Sequence, residues 1–156
     1  MRRRILVALD DSENAMRAVE YVADTFSPKQ EVTLFSVLPD TAAICDMNSP
    51  ELTPYFRAEQ GVFCALEDKK KELLKSVQEK AKKVLLGAGF QEDNITLKLE
   101  TKKKGIARDI VNEAGEGYDT VVMGRRGISG LKEFFLGSIS QKVLSLSKDF
   151  SILLVN

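Results

Sequence analysis

Gly124, Gly127, Gly130 and Gly137 fall within one stretch, residues 121–140, that reads VVMGRRGISGLKEFFLGSIS. A glycine directly after a buried strand permits a sharp turn with positive φ and lets a bulky anion approach without meeting a Cβ. Gly127 repeats that provision, and Gly137 precedes Ser138, which can cap a helix whose first-turn N–H groups then point at a phosphate. Arg125 and Arg126 lie in the loop itself, and either can add a charge-assisted contact. No Gly-Lys-Ser/Thr closes the stretch, so it is not a Walker A loop, and it lacks the placement of a dinucleotide fingerprint after a first strand. The competing reading is that these glycines serve only the turns of an ordinary crossover.

A second group stands at Asp10, Asp11 and Ser12. Asp10 ends an apolar run, where its carboxylate can cap a helix, accept from a ribose hydroxyl, or help to hold Mg²⁺ beside phosphates. Asp11 competes for the capping role, which frees Asp10 to face a ligand. The backbone of Val37 and Leu38 ends another apolar run and can read the edge of an adenine through paired N–H and C=O groups.

The elements that must position these residues follow from periodicity. Residues 3–9 form a continuous apolar run suited to a strand buried on both faces of a parallel sheet. Ala15, Ala18, Val19, Val22 and Phe26 then repeat at helical spacing, closed by Pro28. EVTLFSVL at 31–38 is a second strand. The stretch from Pro39 to about Gly61 breaks the pattern with Pro50, Pro54, Asn48 and Ser49. From Leu66 to Leu86 a helix is predicted, with Leu66, Leu73, Leu74, Val77, Ala81, Val84 and Leu85 on its apolar stripe and Lys69–Lys71 on its wet face. Further strands are predicted at 95–99, 118–123 and 151–155, with helices through Ile106–Ala114 and through Ile139, Val143, Leu144 and Leu146. Lys102–Lys104 read as exposed loop lysines. Strands alternating with helices in this way call for a mostly parallel α/β sheet with helices on both faces. Ligands of such sheets sit beyond the carboxyl ends of the strands, and Asp10–Ser12 and Gly124 are both at such ends.

At 156 residues the chain fits one domain, 1–156, with a core of its own. Its 23 Lys plus Arg balance 23 Asp plus Glu, which gives no reason to expect nucleic acid or an anionic membrane as a partner. With no His, His-based acid–base catalysis and Cys/His zinc sites are excluded. Cys45 and Cys64 match neither a zinc knuckle nor a CxxC pair, and both are expected to stay reduced. Arg2–Arg4 and the short apolar run after them do not make a secretion signal, and no run of 18 apolar residues follows, so the expected location is the cytoplasm.

In its loop the sequence resembles the universal stress protein family, in the nucleotide-binding branch marked by Gly-x2-Gly-x9-Gly-Ser/Thr. Gly124, Gly127, Gly137 and Ser138 match that pattern, as do the strand ending in Asp10 and Ser12, the VVMG entry, LKEFFLGS and the closing SILLV. The resemblance implies a five-stranded parallel sheet in the order 3-2-1-4-5, with ATP placed so that adenine lies near the ends of strands one and two and the phosphates along the glycine loop. Carried over by motif, Ala8, Leu9, Asp10 and Ser12 would line the base and ribose, with Val37 at adenine. Met123, Gly124, Arg126 and Gly127 would follow the ribose and phosphates, as would Gly137, Ser138, Ile139 and Ser140. Asp10 is the implied indirect contact of Mg²⁺. Homodimerisation through Ile152, Leu153, Leu154 and Val155 is also implied, and pairing an apolar edge with a copy of itself removes an aggregation liability. Two features depart from the family. Arg125 and Arg126 stand where many members carry a small residue and His, and LETKKKGIARDI lacks the usual Gly-x-Pro entry, so no ligand contact is carried over to that loop. The function implied is an ATP-binding stress-response or regulatory protein with an unknown protein partner. The alternatives are a slow ATPase or phosphotransferase, and a structural dimerisation module without nucleotide.

Overall fold

A computed structural model describes residues 3–38, 54–126 and 136–156. Strands β1 (Arg4–Ala8), β2 (Glu31–Leu38), β3 (Ile95–Thr101), β4 (Thr120–Gly124) and β5 (Ser151–Val155) form one parallel sheet in the order β3-β2-β1-β4-β5. Helices α1 (Glu13–Thr25), α2 (Pro54–Gly87), α3 (Ile106–Ala114) and α4 (Ser138–Leu146) alternate with them, and a 3₁₀ turn at Glu92–Asn94 leads into β3. The expected class and strand order are those observed.

Because alternate residues of a strand face opposite ways, each central strand feeds two cores. Ile5, Val7, Leu34 and Val122 pack on one face with Ala15, Val19 and Val22 of α1 and Ala81 and Leu85 of α2. Leu6, Ala8, Phe35, Val121 and Met123 pack on the other with Ala107 and Ile110 of α3 and Val143 of α4. The helix after β1 therefore leaves on one face and the helix after β4 on the other. A crevice opens at that switch point, beyond the carboxyl ends of two adjacent strands.

The long helix departs most from expectation. It begins at Pro54, twelve residues before Leu66, because a proline in the first turn starts a helix as readily as it breaks one. Its buried stripe is Leu74, Gln78, Ala81 and Leu85, which leaves Leu66 and Leu73 at 56% and 45% exposure off the core face. Gln78 takes a core position because its Nε2 lies 2.9 Å from the Lys98 carbonyl, 3.1 Å from Ser36 Oγ and 3.2 Å from the Leu34 carbonyl. Leu144 and Leu146 of α4 are also exposed. Cys64, on α2, is disulfide-bonded, against the expectation of reduced thiols, while Cys45 lies outside the described residues.

Candidate functional site

The turn after β1 is fixed by its own side chains. Asp10 Oδ1 accepts the Ser12 N–H at 2.9 Å and also the Ser12 hydroxyl. Ser12 in turn is the N-cap of α1 and accepts from the Ala15 N–H at 3.2 Å. Capping is thus the work of Ser12 and not of Asp11, whose carboxylate instead meets Lys70 Nζ of α2 at 2.8 Å. Asp10 stays half-buried and turned to the crevice, as expected once another residue caps.

On the opposite wall, Gly124 is the last residue of β4 and does not adopt positive φ; among the described residues only Gly89, Gly105 and Gly117 do. Its lack of a side chain serves close packing, since a Cβ there would stand 2.8 Å from both the carbonyl carbon and the Cβ of Asn14. Asn14 adds a bond from its Nδ2 to the Arg126 carbonyl at 3.0 Å, which ties the start of α1 to the loop. The loop's two ends are likewise joined: the Gly137 N–H donates to the Arg125 carbonyl at 3.0 Å, and the Arg125 N–H to the Val155 carbonyl at 2.8 Å. Gly137, not Ser138, is the N-cap of α4; Ser138 is its exposed first residue. The N–H groups of Ser138, Ile139 and Ser140 are first-turn donors with no carbonyl four residues back inside the helix. Ser140 Oγ donates to the Gly124 carbonyl at 3.0 Å.

Between these walls lies a crevice of about 230 Å³. Of the residues singled out from the sequence, Ala8, Leu9, Asp10, Ser12, Val37, Met123, Gly124, Arg126, Ile139 and Ser140 line it. Gly137 and Ser138 are not among its lining residues. Gly127 and Gly130 lie outside the described residues. Sequence reasoning missed Ala15, Phe35, Leu74, Ile106 and Ile110, which supply apolar wall, and Lys70. Helical periodicity marked Ala15, Leu74, Ile106 and Ile110 as core and the apolar run of β2 did the same for Phe35, and core residues beside the carboxyl ends of the strands become pocket wall. Ile106 and Ile110 bring α3 to the crevice although its entry loop lacks the Gly-x-Pro pattern. That loop is shaped instead by buried Asp109, which accepts the Lys103 N–H at 2.7 Å and the Lys104 N–H at 3.0 Å and leaves Lys102–Lys104 exposed as expected.

The floor offers one backbone edge. Leu9 N–H donates to the Phe35 carbonyl at 2.8 Å, and the Leu38 carbonyl accepts from Lys102 N–H at 2.7 Å. Parallel strands turn alternate residues to opposite neighbours, so Phe35 and Val37 face the β1 side while Leu38 faces β3. The amide and carbonyl of Val37 thus point into the space beyond the end of β1, whereas the Leu38 carbonyl is engaged. A purine edge would be read by Val37 and not by the expected pair.

The sequence profile of the universal stress protein family matches residues 1–149. The universal stress protein YxiE of Bacillus subtilis is 34% identical over 148 residues, covering 94% of this chain and 95% of that one. The solved structure of MJ0577 from Methanocaldococcus jannaschii superposes with a TM-score of 0.70 at 28% identity, over 99% of this chain and 96% of the other. A universal stress protein solved in complex with cAMP shares the fold at a TM-score of 0.63 and 18% identity, over 99% and 97% of the two chains.

Proposed function

The chain belongs to the universal stress protein family, and from that premise we propose that it binds ATP in the β1/β4 crevice as a stress-response or regulatory protein. The observation that carries this reading is the convergence of Asp10, Gly124, Arg126, Ile139 and Ser140 on one apolar-floored crevice at the switch point of a parallel sheet. Adenine would lie over Leu9 and Val37, ribose near Asp10, and phosphates toward Arg126 and the first turn of α4, where backbone donors and the helix dipole favour negative charge. Gly127, Gly137 and Ser138 complete the proposed phosphate loop. Mg²⁺ prefers one or two carboxylates plus phosphate oxygens and water, so Asp10 would meet it through its hydration shell. The cAMP complex of a fold relative supports an adenine nucleotide as the ligand class.

We place homodimerisation at β5. It pairs with β4 along one edge, and Ile152, Leu153 and Leu154 are half-buried rather than covered, with Val155 buried at the end. A second copy added edge to edge would cover them.

Mass spectrometry of small molecules released from the denatured, purified protein is expected to yield an adenine nucleotide. Calorimetry with ATP and with AMP, each with Mg²⁺, is expected to show saturable binding. No released nucleotide together with no heat of binding refutes the reading.

A further inference from the structure

Lys70 stands apart from its neighbours on α2. Lys69 and Lys71 are exposed, as a wet helix face requires, but Lys70 is half-buried and its side chain lines the crevice. Its Nζ is held at 2.8 Å by Asp11, at the lip where β1 passes into α1. With Asp10 and Arg126 it is one of three charged side chains among the crevice-lining residues. Asp11 takes no part in the lining. It holds the ammonium from the side.

We infer that Lys70 is a ligand-contacting residue that selects for the polyphosphate tail of the nucleotide, and that Asp11 keeps it parked until the tail arrives. The inference rests on the nucleotide reading above. Three observations carry it. The crevice of about 230 Å³ is open to solvent and has Lys70 in its wall, so the ammonium can turn to an anion that enters there. Lys70 is built to move, being a point charge on a flexible four-carbon stem. Its bond to Asp11 is also exchangeable, since both side chains keep part of their surface in solvent, at 30% and 19% exposure, and a phosphate oxygen offers the ammonium the same charge-assisted contact as the carboxylate. Finally, Asp10 and Arg126 cancel, so the parked crevice carries no net charge of its own to meet an anion. Release of Lys70 from Asp11 adds a positive charge that a triphosphate uses and a nucleoside does not.

The pairing makes opposite predictions for its two members. Lys70→Gln is expected to weaken ATP binding about tenfold, the loss of one charge-assisted contact, with adenosine affinity changed less than about twofold. Asp11→Asn frees the ammonium and is expected to tighten ATP about threefold or more, a gain abolished in the Lys70→Gln/Asp11→Asn double variant. Titration calorimetry of the four proteins with ATP and adenosine, with circular dichroism to confirm equal folding, reads all of this. If Lys70→Gln leaves ATP affinity unchanged, or weakens ATP and adenosine equally, the inference is overturned while nucleotide binding stands. If Asp11→Asn weakens ATP as Lys70→Gln does, the pair is a structural tie and the inference is overturned. Absence of binding to either ligand by the unaltered protein overturns both readings.

Discussion

Gly124→Ala tests whether that glycine is needed for packing rather than for a turn. A Cβ at this position would stand 2.8 Å from two carbons of Asn14 and 3.0 Å from its carbonyl oxygen. Favourable carbon–carbon contact begins near 3.5 Å, so the start of α1 must retreat by about 0.7 Å. Asn14 cannot rotate out of the way, because one of the carbons is backbone, and retreat strains its 3.0 Å bond to the Arg126 carbonyl. Overpacking of this kind costs about 1–3 kcal/mol. Replacing glycine by alanine would return about 0.4–1 kcal/mol through the unfolded chain, so the net loss centres on about 1.3 kcal/mol. For a chain of this length that is a fall of roughly 3–5 °C in Tm. Gly61→Ala is the matched control: it lies within α2 with nothing within 4 Å of its added Cβ, and should gain up to about 1 kcal/mol from helix propensity. Scanning calorimetry of both variants decides the matter. A Gly124→Ala protein that melts at or above the unaltered one would refute the packing argument. The same substitution should weaken ATP binding, since Asn14 holds the loop through Arg126.

Gln78→Leu keeps the volume of a buried position but removes the amide that faces the Lys98 and Leu34 carbonyls and Ser36 Oγ. A loss of about 1–3 kcal/mol is expected in urea unfolding, and an unchanged midpoint would show that the ladder satisfies those acceptors alone. A second measurement concerns alkaline pH. The Glu113 carboxylate beside Lys98 Nζ, at 2.6 Å, holds the lysine's pKa above its ordinary value, and burial pushes the Tyr118 hydroxyl up likewise. A raised folded pKa means the native state keeps its proton longer than the unfolded chain. Both contributions are therefore in place below about pH 10 and are lost as pH rises through the folded pKa values. Stability should fall on the alkaline side, and the fall should be shallower in Tyr118→Phe, which keeps only the lysine's part. An equal slope in the two proteins would contradict the assignment to Tyr118.

The sheet was legible because its signals are local and redundant. β2 and β5 begin and end where the runs EVTLFSVL and SILLV do, and β1 stops two residues before Asp10. Helix α2 was less legible because Pro54 reads as a breaker in the middle of a pattern and as an initiator at its edge, a distinction that only the preceding chain can supply. Lys70 was missed for a related reason. A lysine between two other lysines on a polar helix face has the composition of solvated surface, and only the approach of α2 to the β1–α1 turn places it over the crevice. Gly124 was singled out in part for a positive φ that it does not adopt; what the sequence could not show is that its missing Cβ makes room for Asn14 of α1.

The site's two walls are joined to the edge strand by a short chain of main-chain bonds. Asn14 grips the Arg126 carbonyl, Arg125 donates to Val155, and Gly137 donates back to Arg125. The base of the proposed phosphate loop is thus made partly from the last residue of β5, the strand proposed to pair with a second copy. A displacement of β5 would reach the Arg125 amide directly, and through Arg125 the N-cap of α4, where Ser138–Ser140 present their donors. A ligand that draws the first turn of α4 toward its phosphates acts on the same bonds from the other end. If both proposals hold, occupancy of the crevice and pairing at β5 would be linked through Arg125, and a nucleotide that binds each site of the dimer better than the monomer would strengthen dimerisation at saturation by the square of that factor, once for each protomer. Sedimentation of the protein with and without saturating ATP measures that strengthening, and identical dimer dissociation constants in the two conditions would show that the bonds at Arg125 transmit nothing.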